Sequence, residues 1–187
     1  MSATSAVLLS GEWGGVDAPA VREFEALFAR SCGARHAASI SNGTISLEIA
    51  LRALGVGHGD EVIVPPYTFL ATASAVLGVN ALPVFADIDP DTYCLDPQAV
   101  AAAIGPRTRA VIVVHLGGHP ADLDALRDVC SRHDLPLIED AAHAHGARWR
   151  GRHVGTFGVF GSWSFQGSKN LTCGEGGMLT TEDAALH

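Results

Sequence analysis

Short apolar runs alternate with segments of helical periodicity along most of the chain. Seven runs are rich in the aliphatic, β-branched and aromatic residues typical of strands. They cover residues 36–41, 61–65, 82–88, 109–116, 135–140, 159–165 and 177–181. The run 109–116 is almost continuously apolar, which indicates a strand that is buried on both faces of its sheet.

The segments around these strands predict helices. Apolar residues recur at helical spacing in five segments, namely 21–30, 46–54, 68–78, 96–104 and 121–133. Residues 11–20 have the composition of a loop that leads into the first helix. Because several helices connect successive strands at the usual crossover length, the pattern predicts a three-layer α/β/α sandwich with a mostly parallel seven-stranded sheet.

Composition agrees with one globular domain. The chain has 187 residues, of which 48% are hydrophobic and 17% charged, so it can bury a sizeable core. The net charge of −8 comes from scattered acidic residues and argues against a nucleic-acid partner.

The chain shows no signal for export or membrane insertion. No apolar run approaches the length of a membrane span, and the first ten residues lack the basic segment of a secretory signal. The four cysteines are far apart and none forms a CxxC pair, which argues against zinc or redox motifs. We therefore expect a cytoplasmic protein.

Polar and aromatic residues follow most of the predicted strands. They are Ser41 to Thr44, Tyr67 to Phe69, His115 with Gly117 and Gly118, Asp140 with His143, and Ser164 to Lys169. Because ligands of open α/β sheets bind at the carboxyl ends of the strands, these residues predict one binding site at that edge.

Two of these groups suit parts of a charged ligand. Gly43 and Thr44 stand at the start of a predicted helix, where backbone N–H groups can bind a phosphate. The alternative is an ordinary Asn-Gly turn with Thr44 as the helix N-cap. Asp140 ends an apolar strand and could pair with a protonated pyridine nitrogen. Its alternatives are a helix cap or a buried salt bridge.

The histidines leave a further alternative open. His143 and His145 form an HxH pair that would share one face if it lay on a strand, and His115 and His119 form a second cluster. Together with Asp140 they could bind a metal ion. The competing interpretation, which we adopt, is that one histidine orients an organic ligand and that no metal binds.

Lys169 is the only lysine among the twelve basic residues, since the other eleven are arginines. A Schiff base requires a primary amine, which arginine cannot supply. The alternative is that one lysine remains by chance. With a phosphate site, a carboxylate and an aromatic ring at Phe69 that could face a planar ligand, Lys169 predicts binding of an aromatic aldehyde phosphate.

The sequence resembles the DegT/DnrJ/EryC1/StrS aminotransferases, pyridoxal-phosphate enzymes of fold type I that act mainly on keto sugars. The segments that carry the resemblance are 42–73, 83–97, 113–126, 138–147 (IEDAAHAHGA) and 164–177 (SFQGSKNLTCGEGG). The resemblance implies that Lys169 forms the Schiff base and moves protons, and that Asp140 pairs with the pyridinium nitrogen. It further places His143 near the phenolic oxygen of the cofactor and Phe69 against the face of the cofactor's ring. Gly43, Thr44, Ile45 and Ser164 would then hold the phosphate.

The resemblance also implies a reaction. Pyridoxal 5'-phosphate would carry an amino group from L-glutamate or L-glutamine to a keto sugar nucleotide or keto cyclitol, in polysaccharide or secondary-metabolite biosynthesis. An enzyme similar to 3-amino-5-hydroxybenzoate synthase is one alternative, since it shares the AAHAHGARW pattern (141–149). A truncated or non-catalytic cofactor-binding remnant is another.

The resemblance divides the chain into residues 1–32, an N-terminal loop and helix, and residues 33–187, the cofactor-binding large domain. The family's smaller C-terminal domain is expected to be absent from this sequence. The full-length protein is expected to be a homodimer.

Overall fold

The computed structural model describes residues 2–13, 15 and 18–186 and contains nine strands. In chain order they are β1 (His36–Ile40), β2 (Glu61–Val64), β3 (Leu82–Phe85), β4 (Thr108–Val114), β5 (Leu137–Asp140), β6 (Arg148–Trp149), β7 (Arg152–His153), β8 (Phe160–Ser164) and β9 (Gly177–Thr181). All seven predicted strands are present, with ends that differ by a few residues. The hairpin of β6 and β7 was not predicted, because strands of two residues have no measurable apolar period.

Seven of these strands form one sheet in the order β1-β9-β8-β5-β4-β2-β3. The pairs from β8 through β5, β4 and β2 to β3 are parallel, whereas β9 runs antiparallel to both of its neighbours. The predicted mostly parallel seven-stranded sheet is confirmed.

The described residues form six α-helices. They are α1 (Ala3–Ser10), α2 (Pro19–Cys32), α3 (Gly43–Ala53), α4 (Ala71–Gly78), α5 (Pro97–Ala103) and α6 (Leu123–Arg132), and Leu116–Gly118 forms a short 3-10 turn. All five predicted helices are present. Helix α1 was not predicted, and none of its side chains is buried, so no apolar stripe marks it in the sequence. Within the predicted loop 11–20, residues 14, 16 and 17 lie outside the described residues, and α2 already begins at Pro19.

Helices pack on both faces of the sheet, as the sequence predicts. Alternate residues of β4 show this directly, since Val111 and Val113 join the core cluster that contains α2, α5 and α6. Ile112, between them, joins the cluster that contains α3 and α4. The continuous apolar run is therefore explained by burial on two faces.

A buried carboxylate at the end of β5 anchors the segment before β8. Both oxygens of Glu139 accept hydrogen bonds from backbone N–H groups: Gly155 at 2.7 Å, Phe157 at 2.6 Å and Gly158 at 2.7 Å. Its Oε2 atom also lies 3.0 Å from Nε2 of His115. Because Nδ1 of His115 accepts the N–H of Ala121 at 3.2 Å, the proton must be on Nε2, and the neutral ring donates to Glu139.

Helix α2 belongs to the same core, since its buried Phe28 packs edge-on against Trp163 of β8 at 5.3 Å between ring centroids. The division of the chain at residue 32 stays a prediction. Among the described residues, no helix is long and apolar enough to cross a membrane.

Candidate active site

A cavity of about 620 Å³ opens at the carboxyl edge of the sheet. All eight residues that the sequence predicts as cofactor ligands line it: Gly43, Thr44, Ile45, Phe69, Asp140, His143, Ser164 and Lys169. They come from segments that follow β1, β2, β5 and β8, so the topology brings together residues up to 126 positions apart. The roles of the individual residues stay predictions.

The N-terminus of α3 forms one end of the cavity. Asn42 is the N-cap, and its side chain accepts the N–H of Ile45 at 2.9 Å, so the alternative in which Thr44 caps the helix is wrong. The N–H groups of Gly43 and Thr44 have no acceptor among the described residues. Since both residues line the cavity, the helix start offers it two N–H groups that can bind an anion. Ile45 lines the cavity, but its N–H is already used by the cap.

Glycine is needed where this helix start meets the sheet. A Cβ atom on Gly43 would lie 3.0 Å from Cβ of Ser164. A Cβ atom on Gly177, at the start of β9, would lie 2.5 Å from the backbone carbon of Asn42. The absence of side chains at both positions lets the start of α3 pack closely against Ser164 and the start of β9.

Asp140 ends β5 and is 92% buried, with 8% of its surface exposed. Its Oδ2 atom accepts the hydroxyl of Thr72 at 3.1 Å, and its Oδ1 atom accepts the N–H of Ala142 at 3.2 Å. Burial raises the pKa of Asp140 above its usual value, while these two hydrogen bonds act in the opposite direction. The carboxylate is thus held in one orientation at the cavity wall and gains from a cationic partner.

Lys169 lies in the loop between β8 and β9 with its side chain half-buried at the cavity. Its backbone N–H donates to the carbonyl of Gln166 at 2.9 Å, which forms a turn around the lysine. Its Nζ atom lies 6.0 Å from the ring centroid of Phe69, which is itself 69% exposed. The amine and the aromatic ring therefore face each other across the cavity mouth.

The two histidines of the HxH pair have different environments. His143 lines the cavity, where burial and then the charge of Lys169 lower its pKa, and Asp140 opposes them. Nδ1 of His145 instead lies 3.0 Å from Oδ1 of Asn170. The ring of His145 packs 5.4 Å from that of Trp163, between centroids. Both residues lie in turns after β5 and not on a strand, so they do not share a face.

This separation removes the geometry that the metal alternative needs. His115 is fully buried and hydrogen-bonded to Glu139, away from the cavity lining. Throughout the part of the chain that the structure describes, no three His, Cys, Asp or Glu side chains are grouped closely enough to hold a metal ion.

The groups in the cavity fit pyridoxal phosphate. A phosphate needs N–H donors, which the start of α3 at Gly43 and Thr44 offers at the cavity wall. A pyridinium nitrogen needs a carboxylate, and an aldehyde needs a primary amine. Asp140 and Lys169 supply these two groups in the same cavity.

Sequence reasoning did not find Thr72, whose hydroxyl bonds Asp140 from the second residue of α4. It also did not find Glu175 as a cavity residue. Thr72 is 68 residues from Asp140, and a threonine within a helical pattern carries no signal that it contacts a distant carboxylate.

The chain is similar to known aminotransferases over nearly its whole length. Residues 2–187 match the profile of the DegT/DnrJ/EryC1/StrS aminotransferase family. An L-glutamine:scyllo-inosose aminotransferase of Streptomyces griseus is 62% identical over 163 residues, which are 87% of this chain and 38% of that protein. The chain therefore spans less than half the length of this curated relative.

Solved structures are also similar to the chain over nearly its whole length. The structure of 3-amino-5-hydroxybenzoic acid synthase superposes with a TM-score of 0.91 at 45% identity, covering 96% of this chain and 47% of that one. A Bacillus subtilis structure with bound pyridoxamine phosphate gives a TM-score of 0.89 at 34% identity, covering 97% and 41%. The type I fold that the sequence predicts is confirmed, and the Bacillus subtilis neighbour holds the pyridoxamine form of the cofactor that the sequence predicts.

Proposed function

Because the chain belongs to the DegT/DnrJ/EryC1/StrS aminotransferase family, we propose that it carries the cofactor site of an enzyme that transfers the amino group of L-glutamine to a keto cyclitol. One observation carries the proposal: Lys169, Asp140 and the open helix start at Gly43 and Thr44 line a single cavity. These are a primary amine, a buried carboxylate and an anion site, each of which pyridoxal phosphate requires.

Pyridoxal phosphate supplies an aldehyde for covalent attachment and a ring that withdraws electrons from the carbon next to a bound amino group. Lys169 is the residue for the attachment, because its Nζ is the only side-chain primary amine in the sequence. When it is not attached to the cofactor, the same Nζ would be free to accept the proton from the α-carbon of the amino donor.

Asp140 would hold a proton on the ring nitrogen. Its carboxylate is buried, and burial raises its pKa, so an adjacent cation stabilises the ionised form. His143 lines the same cavity, and its lowered pKa leaves its ring neutral and able to donate one N–H to the phenolic oxygen. Phe69 would cover one face of the ring at the cavity mouth.

The phosphate would bind where α3 begins. The N–H groups of Gly43 and Thr44 and the hydroxyls of Thr44 and Ser164 are the donors at that end of the cavity. The positive end of the helix dipole adds to their attraction for the phosphate.

The substrates are proposed from the relatives. The Streptomyces griseus protein is named for L-glutamine and scyllo-inosose, and other curated relatives at 54% identity are named for L-glutamine and 2-deoxy-scyllo-inosose. The identity to the 3-amino-5-hydroxybenzoic acid synthase structure is lower. We therefore favour glutamine over glutamate, and a keto cyclitol over a keto sugar nucleotide or an aromatic product.

We further propose a cytoplasmic homodimer. The four cysteines are all free thiols, as a reducing compartment requires. At the cavity mouth Tyr67, Phe69 and Leu70 are 57%, 69% and 75% exposed, and an apolar rim of this kind is typical of a surface that another chain covers.

Attachment of the cofactor is tested on the lysine itself. The chain is mixed with pyridoxal phosphate, reduced with borohydride, digested and analysed by mass spectrometry. We expect the pyridoxyl group on Lys169, and none on that peptide in Lys169→Arg, which keeps the positive charge. A parent chain that carries no pyridoxyl group on Lys169 would refute the proposed role.

Turnover separates an enzyme from a non-catalytic remnant. Addition of L-glutamine to the loaded protein should convert the cofactor to pyridoxamine phosphate, which liquid chromatography detects, and L-glutamate should convert it more slowly. Cofactor bound to Lys169 without conversion by either amino acid would favour the remnant.

A further inference from the structure

Two threonine hydroxyls form a line of hydrogen bonds that ends at the carboxylate of Asp140, and the proposed reaction assigns them no role. Thr72 is fully buried in the first turn of α4, and its Oγ1 lies 3.1 Å from Oδ2 of Asp140. Oγ1 of Thr68 lies 2.9 Å from Oγ1 of Thr72, and Thr68 lines the cavity. This line of hydrogen bonds therefore runs from the cavity wall to the carboxylate through one buried hydroxyl.

When Asp140 is ionised, its charge fixes which hydroxyl donates and which accepts in this line of hydrogen bonds. A carboxylate only accepts hydrogen bonds, so the single hydroxyl proton of Thr72 must point at Oδ2. The oxygen of Thr72 is then available as an acceptor, and Thr68 donates its own proton to it. A hydrogen bond donated to a carboxylate is stronger than one to a neutral carboxyl group, so donation by Thr72 favours the ionised form of Asp140.

We propose that Thr72 is a positioning residue for Asp140, whose hydroxyl keeps the buried carboxylate ionised and aimed at the ring nitrogen of pyridoxal phosphate. The proposal rests on the proposed function. It assigns Thr72 no contact with the cofactor, because Thr72 is completely buried and is not part of the cavity lining.

Other groups also act on Asp140. The N–H of Ala142 binds Oδ1. His143, in the turn after β5, and His115, after β4, would both favour the carboxylate when charged. Lys169, from the loop after β8, lines the same cavity. Among these groups and Thr72, only Thr72 donates to Oδ2, so its loss removes the protein donor of that oxygen.

The test compares Thr72→Val, which removes the hydroxyl but keeps the branched shape, with Thr72→Ser, which keeps the hydroxyl. Dissociation constants are measured for pyridoxal phosphate and for its deaza analogue, in which a C–H group replaces the ring nitrogen. A hydrogen bond to a charged group predicts that Thr72→Val weakens pyridoxal phosphate binding by about tenfold or more. Thr72→Ser should stay within about twofold of the parent, since its hydroxyl is retained.

The deaza analogue separates positioning from general damage. It cannot pair with Asp140, so Thr72→Val should change its affinity by less than about twofold. In an Asp140→Asn background, Thr72→Val should add no further loss of pyridoxal phosphate affinity. An equal loss for both ligands, or a full additional loss beside Asp140→Asn, would overturn the proposal.

A cofactor-free measurement distinguishes failure of this proposal from failure of the proposed function. The carboxyl carbon of Asp140 is titrated by NMR in the apo chain. Thr72→Val should raise the pKa of Asp140 above that of the parent, and Thr72→Ser should restore it. A parent chain that binds no pyridoxal phosphate refutes the proposed function, whereas an unchanged Asp140 titration in Thr72→Val refutes the role of Thr72.

Discussion

Replacing Glu139 with glutamine tests whether the buried carboxylate at the end of β5 holds the structure together. Its two oxygens accept four hydrogen bonds: Oε1 from Phe157 and Gly158, and Oε2 from Gly155 and His115. Glutamine has one oxygen and one NH₂ group, so in either orientation two of these donors face another donor. Each buried donor without an acceptor costs about 1–3 kcal/mol, so Glu139→Gln should lower the free energy of unfolding by about 2–6 kcal/mol.

Urea denaturation followed by circular dichroism measures this loss, from the midpoint and slope of the transition. Glu23→Gln is the matched control, because Glu23 is exposed on α2 and the same substitution there should change the free energy of unfolding by less than about 0.5 kcal/mol. If Glu139→Gln were as stable as this control, the four hydrogen bonds would not stabilise the fold by the amount that their geometry predicts.

Three further outcomes follow from the structure. Gly177→Ala places a Cβ atom 2.5 Å from the backbone of Asn42 and should lower the free energy of unfolding by about 1–3 kcal/mol. Gly57→Ala is the control, because the nearest atom to its Cβ would be 3.9 Å away. Equal stability of the two variants in urea denaturation would contradict the close approach at Gly177. Burial lowers the pKa of His145, so as the pH drops below about 6.5 the unfolded chain binds a proton at His145 before the folded chain does. The free energy of unfolding therefore falls over this pH range. His145→Phe should reduce this fall in urea midpoints, and a fall as steep as that of the parent would count against the assignment. Cys173 is the exposed thiol and the other three are buried, so a thiol reagent should label one cysteine quickly, and Cys173→Ser should abolish that phase; rapid labelling in Cys173→Ser would disprove it.

Much of the fold could be predicted because burial on two faces imposes a visible pattern. The continuous apolar run that contains Val111 to Val114 is buried on both sides, and helices with one apolar face separate most of the strands. The antiparallel direction of β9 and the hairpin of β6 and β7 have no such signal, because a strand's partner depends on the sheet and not on its own residues. Helix α1 buries no side chain and so leaves no apolar stripe to detect.

The candidate site shows the same division. Lys169, Asp140 and Gly43 could be predicted because the carboxyl ends of parallel strands meet at one edge, so a residue's place after its strand indicates where it lies. The separation of His143 from His145 could not, because the turn after β5 sends one ring into the cavity and the other against Trp163.

By itself, the sequence determined the layers, the edge at which the ligand groups meet and the amine that suits a Schiff base, since these depend on local periodicity and residue chemistry. Only the tertiary structure decided that Thr72 bonds Asp140 and that His115 and three backbone N–H groups bond Glu139. Those contacts join residues from 16 to 68 positions apart, and hydrogen bonds of that range depend on how the layers pack.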